Sequence, residues 1–188
     1  MNYKRLLCYF SLLLAIAFLM PCRGWTQALG EIEPKPGTKA PVITNAFAVE
    51  KGQYGYIWKI YIEAEDPDGD MLRVASVVEQ PGYGHYPADF IYLKPQYQKH
   101  FRGYLQWNTF SSHTNYLREW TQITLKVSIL DRAGNESNVV VLPFTFVSGA
   151  RARVKLPAPF DQADLPKIGN VFIDLYEPTV MGLGPRDD

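Results

Sequence analysis

Residues 54–65 read "YGYIWKIYIEAE", and residues 66–70 follow as "DPDGD". Tyr56, Trp58, Ile60, Ile62 and Ala64 fall on one face of an extended chain. Lys59, Tyr61, Glu63 and Glu65 fall on the other. A period of two with one apolar face predicts a half-buried strand. The acidic stretch then stops it. Asp66, Pro67 and Gly69 occupy positions i, i+1 and i+3 of a four-residue turn, where each type suits a type I geometry.

Working outward, the same alternation recurs between turn residues. "VITNAFAV" (42–49) precedes the reference strand and "MLRVASVVE" (71–79) follows it. "QPGYGHYPAD" (80–89) is irregular. "FIYL" (90–93) and "FRGYLQWNT" (101–109) predict two further strands. "TQITLKVSILD" (121–131), the turn "RAGN" and "SNVVVLPFTFV" (137–147) complete the set. No stretch from 42 to 147 sustains a helical period; "TNYLREW" (114–120) offers one helical turn. Seven short alternating strands predict an all-β fold, a seven-stranded antiparallel Ig-like sandwich. Aromatic residues make up 14% of the 188-residue chain, which suits pleated surfaces.

The stretches "YIEAEDPDGDMLRV" and "KVSILDRAGNESNVVVLPFTF" resemble the B–C and F–G hairpins of bacterial Ig-like and cadherin-like extracellular domains. The resemblance spans about residues 42–147 and implies the sandwich fold. The Cys…Trp…Cys pattern of antibody-type domains is absent. The Pro/Gly-rich arm at 29–41 and the extension at 148–188 lie outside it. Within that extension "VFIDLY" (171–176) alternates and predicts an edge strand. That strand covers this domain's own sheet or adds to a partner's.

The N-terminus predicts export. Lys4 and Arg5 precede an apolar run at 6–20, shorter than the roughly 20 residues of a membrane span. Thr26 and Ala28 suit signal-peptidase cleavage after Ala28, which gives a signal peptide at 1–28 and no transmembrane span in the mature chain. An uncleaved anchor and lipidation of Cys22 are the alternatives. Both cysteines, Cys8 and Cys22, precede the cleavage point, so no disulfide staples the mature fold. Removing Lys4, Arg5 and Arg23 from 19 basic residues leaves 16 against 19 acidic ones, a net charge of −3. That argues against nucleic-acid binding, which needs a basic footprint.

Three constellations bear on chemistry. Glu65, Asp66, Asp68 and Asp70 on one turn, and Asp131 on the other, would share a pole of the sandwich. Hard oxygens converging from two loops are what Ca²⁺ takes, six to eight at a time. The competing reading is a plain turn. The spacing is not that of an EF-hand, since Met71 and Val77 stand where Gly and Glu belong.

Second is an aromatic belt between 83 and 120, in which Tyr83, His85 and Tyr86 of "GYGHY" form the most exposed loop. Its rings fill the sandwich or stack on sugars, with Gln106, Asn108 and Asn115 nearby. Third, His85, His100 and His113 lack zinc-site spacing. No GxSxG elbow or phosphate-binding glycine loop is present. The reading is a non-enzymatic binding or structural module of the cell envelope, periplasmic, surface-bound or secreted. Its expected partner is an envelope protein or glycan; the sequence specifies no cofactor, calcium is the candidate one, and the plain turn is the favoured reading of the acidic stretch. A carbohydrate-binding module is the alternative, and a metal-dependent hydrolase at the acidic pole ranks third.

Overall fold

The computed structural model describes residues 34–112, 119–148 and 154–176. The signal peptide predicted at 1–28, both cysteines and the helical turn predicted at 114–120 lie wholly or largely outside these residues. Among the described residues ten strands occur in chain order: β1 (Val42–Ala48), β2 (Lys51–Gly52), β3 (Ile57–Glu65), β4 (Met71–Gln80), β5 (Gly84–His85), β6 (Asp89–Tyr92), β7 (His100–Asn108), β8 (Gln122–Asp131), β9 (Val140–Phe146) and β10 (Lys167–Val171). One 3₁₀ turn, Pro95–Tyr97, joins β6 to β7.

The strands form two sheets, ordered β1-β3-β7-β10 and β2-β9-β8-β4-β5, with β6 also paired to β4. The result is an Ig-like two-sheet sandwich. Most pairs are antiparallel, as expected, but β2 runs parallel to β9 and β10 parallel to β7. The count exceeds seven because β2 and β5 are only two residues long and β10 carries a glycine in mid-strand, so none of them alternates visibly in sequence.

The period of two sets the core. Trp58, Ile60, Ile62 and Ala64 of β3 are fully buried, as their alternation predicts. They pack against Leu105 and Trp107 of β7 and against Ile123, Leu125, Val127 and Ile129 of the opposite sheet. Trp58 lies 4.6 Å from Phe144 and 5.9 Å from Trp107 between ring centroids. Its indole N–H donates to the Val49 carbonyl at 2.8 Å, so the one polar atom on this ring is satisfied. Lys59 is exposed on the outer face, over the Tyr104 ring at 4.4 Å. Tyr61 points outward but is only half-exposed, because Phe160 of the C-terminal segment lies on it, 5.7 Å between centroids.

The C-terminal segment departs from the sequence reading in register. The strand falls at Lys167–Val171 rather than at 171–176, and it covers the domain's own edge beside β7. The alternation seen from Val171 onward persists as burial: Val171, Ile173 and Leu175 point inward, while Phe172 is 78% exposed. Gly103 makes room for this segment. A Cβ there would stand 2.5 Å from the Pro166 carbonyl oxygen, so the close approach of residues 166–168 needs a glycine.

Candidate functional site: the acidic pole and the tyrosine stack

β4 begins where β8 ends, because the two strands are antiparallel and Met71 pairs with Asp131. The turn that feeds β4 and the turn that leaves β8 therefore meet at one pole. The Arg132 amide donates to the Asp70 carbonyl at 3.1 Å and ties them together. A register shift between Met71 and Arg73 lies beside this contact, where bulges commonly re-aim side chains.

Asp66 and Asp131 are buried and Asp70 is half-buried; one carboxylate oxygen from each lies within 4.8 Å of the other two. Each outer carboxylate is braced. Asp66 accepts from the amides of Asp68 and Asp70, both at 3.0 Å, which is how a short acidic side chain closes its own turn. Gly69 supports that turn with φ +73°. Asp131 accepts from the backbone and side-chain nitrogens of Asn135, both at 2.7 Å. Asp70 differs: its Oδ1 is buried and has no hydrogen-bond partner. Burial, a hydrogen bond to Asp66 and the charges of Asp131, Asp66 and Asp68 together push the Asp70 carboxyl above the usual aspartate range. Among the described residues none of the three forms a salt bridge.

Of the five residues singled out in sequence, three assemble. Asp68 turns away and accepts from the Lys39 amide at 2.7 Å, so it anchors the N-terminal arm. Glu65 is exposed at the end of β3, opposite His100. Asn135, in the turn that follows β8, is the brace of Asp131, a role its place in the sequence does not reveal. Thr38, whose hydroxyl accepts from Asn135 Nδ2 at 2.9 Å, carried no local signal.

The "GYGHY" loop corrects a second expectation. Tyr86 is 4% exposed and is unavailable to a ligand. Tyr83 stacks 4.4 Å from Tyr86 and 4.9 Å from Tyr176 between ring centroids. The Tyr86 hydroxyl donates to Gln80 Oε1 at 2.5 Å and accepts from the Tyr176 amide at 2.6 Å. Burial pushes this phenol up to about 12. His85 is exposed, with Nδ1 3.3 Å from Glu79. These rings latch the C-terminal segment to the β4–β5 hairpin. Of the rest of the belt, Phe101 and Trp107 fill the core, whereas Tyr92, Phe110 and Trp120 are exposed; Tyr116 lies outside the described residues.

Neither a known family nor a curated protein matches the chain. Among solved structures it is similar to the PKD domain of an M14-like peptidase from Thermoplasmatales archaeon SCGC AB-540-F20. That likeness is at 15% identity and a TM-score of 0.40, covering 60% of this chain and 100% of that one.

Proposed function

We propose that this chain is an exported, non-enzymatic Ig-like module that binds or braces a partner at the cell envelope, and that its acidic pole holds Ca²⁺. The observation that carries the calcium reading is Asp70 Oδ1, a buried oxygen with no partner beside two further carboxylates. Like charges gathered without a counter-cation repel, and a bare buried acceptor is costly. A divalent ion would relieve both. Three carboxylates supply three to six oxygens, and water or main-chain carbonyls complete the set that Ca²⁺ takes. Among the described residues no histidine, serine or lysine side chain hydrogen-bonds these carboxylates, which favours a structural role over hydrolysis.

Thermal melts at equal ionic strength test this. At a hundredfold excess over its dissociation constant, Ca²⁺ should stabilise the fold by about 2.7 kcal/mol, or roughly 5–10 °C, and Mg²⁺ much less. Asp131→Asn should shrink the response. Asp70→Asn should abolish it and at the same time raise the calcium-free stability by on the order of 1 kcal/mol, because one repelling charge is gone.

The pH dependence has a matching sign. A carboxyl raised in the fold favours the protonated form there. Calcium-free protein therefore gains stability from Asp70 as pH falls through its raised folded value. Glu63 acts oppositely. Burial pushes it up, but hydrogen bonds from Arg102 and Asn45, the Arg102 charge and a His100 bond outweigh burial and hold it below the ordinary range. Its stabilisation is present above its unfolded value and is lost as pH falls through the depressed one. Asp70→Asn should thus remove only the acid-side gain. A melting midpoint indifferent to calcium at tens of millimolar would reduce the pole to a turn.

Export rests on Lys4, Arg5, the short apolar run and the Thr26/Ala28 pair. Among the described residues no helix is long and apolar enough to cross a membrane. N-terminal sequencing of exported material should begin at Leu29. A chain starting at Met1, or one with lipid on Cys22, would refute this.

A further inference from the structure

On the outer face of the β7 sheet a groove of about 380 Å³ runs between the end of β7 and residues 170–174. That volume lies within the range of about 300–1,000 Å³ typical of small-molecule clefts. Its composition follows from the parallel pairing. Gln106 pairs with Asn170 and Trp107 with Val171, so the outward residues of the two segments run side by side. Gln106, Asn108 and Phe110 come from one, and Asn170, Phe172 and Asp174 from the other. Phe110 is 56% and Phe172 78% exposed. The carboxamides of Gln106 and Asn170 make no hydrogen bond among the described residues. The Asn108 carboxamide oxygen accepts from the Phe110 amide at 3.1 Å, which leaves its NH₂ group to donate.

The groove is built rather than incidental. The Trp107 indole donates to the Ile173 carbonyl at 3.0 Å, the Ser111 hydroxyl to the Leu175 carbonyl, and the Phe172 amide to Asp89 Oδ2 at 2.8 Å. Asp174 accepts from the Ser112 hydroxyl at 3.0 Å. These anchors hold Phe172 outward although hydrophobic burial would favour the reverse. We infer that this groove is a binding site for a neutral glycan.

The chemistry selects that class. The faces of pyranose rings carry polarised C–H bonds that meet the negative face of an aromatic ring. Carboxamides offer a donor and an acceptor side by side and so match vicinal hydroxyls, which also do both. Among the described residues that line the groove, Asp174 carries a carboxylate and none is basic. Lys59, across the ladder from Gln106, lies over the Tyr104 ring. Among these residues an anionic ligand finds no cationic partner in the groove. The site rests on the reading of the chain as a binding module, but it is separate from the acidic pole.

Affinity electrophoresis of the mature chain, in gels containing soluble β-glucan, xylan or galactomannan, tests it. Retardation is expected in at least one gel. Phe172→Ala and Asn170→Ala should each weaken it about three- to tenfold. Both side chains lie on the outer face, so the variants fold, and unchanged melting curves check that. Tyr92→Ala, which removes an exposed ring on the opposite sheet, should migrate like the parent. Absence of retardation in all three gels overturns the site, as does retardation that survives Phe172→Ala and Asn170→Ala together. Neither result bears on the calcium melts, so the two readings fail separately.

Discussion

A chain lacking residues 149–188 is expected not to fold. Phe160, Ile168, Val171, Ile173 and Leu175 are all buried, and all would be lost. Burying a large apolar side chain contributes roughly 1.5–3 kcal/mol, so these five together contribute roughly 7–15 kcal/mol. A domain's whole stability is about 5–15 kcal/mol. Truncation also strips partners from what remains. The Trp107 indole and the Ser111 hydroxyl lose their carbonyl acceptors, and the edge of β7 loses β10. Near-ultraviolet circular dichroism should show no fixed aromatic signal, and urea should give no cooperative transition. A truncated chain that melts cooperatively within a few degrees of the parent would refute the view that this segment belongs to the core.

The second large effect is at Trp58. Trp58→Ala should cost about 3–5 kcal/mol, because the ring sits between Trp107 and Phe144 and the cavity cannot close around it. At about 2–4 °C per kcal/mol the midpoint falls by roughly 6–20 °C. Its neighbour supplies the control. Lys59 is exposed and gains only a cation–π contact with Tyr104, so Lys59→Ala should cost about 1 kcal/mol or less. Equal losses at the two positions would mean that β3 is shifted by one residue, since a single-step slip exchanges the faces.

These two sites mark what the chain discloses locally. Alternation in β3, β4 and β8 is long enough to fix both the strand and the buried face. The acidic turns are likewise legible, because Asp, Pro, Gly and Asn act on their own backbone within four residues. What alternation cannot reveal is pairing at a distance. β2 is two residues long and has no period to detect. β10 reads "KIGNV", with a glycine in mid-strand, and its position is set by contacts with residues far earlier. The alternation at 171–176 correctly marked the inward residues, but hydrogen bonding placed the strand earlier. Tyr86 reads as exposed along with Tyr83 because Tyr176, which helps to bury it, is remote in sequence; Tyr83 itself is exposed, as expected. Asp68 and Asp70 are two residues apart in one turn, and only three dimensions show that one holds the arm and the other faces the cluster.

The closing hydrogen bonds of this sandwich span long stretches of chain: 66 residues from Trp107 to Ile173, 95 from Ile43 to Asn138 and 96 from Gln80 to Tyr176. Contacts so far apart are slow to form, because loop closure comes before any pairing can offset it. They also impose an order in time. A chain emerging from its N-terminus first has β3 and β7 early, but the segment that covers their edge arrives last. Until residues 167–176 are available to dock, the Trp107 indole, the Ser111 hydroxyl and the Gln80 carboxamide lack their carbonyl acceptors and the edge of β7 stays open. The topology thus defers completion of the sandwich to its last-made strand.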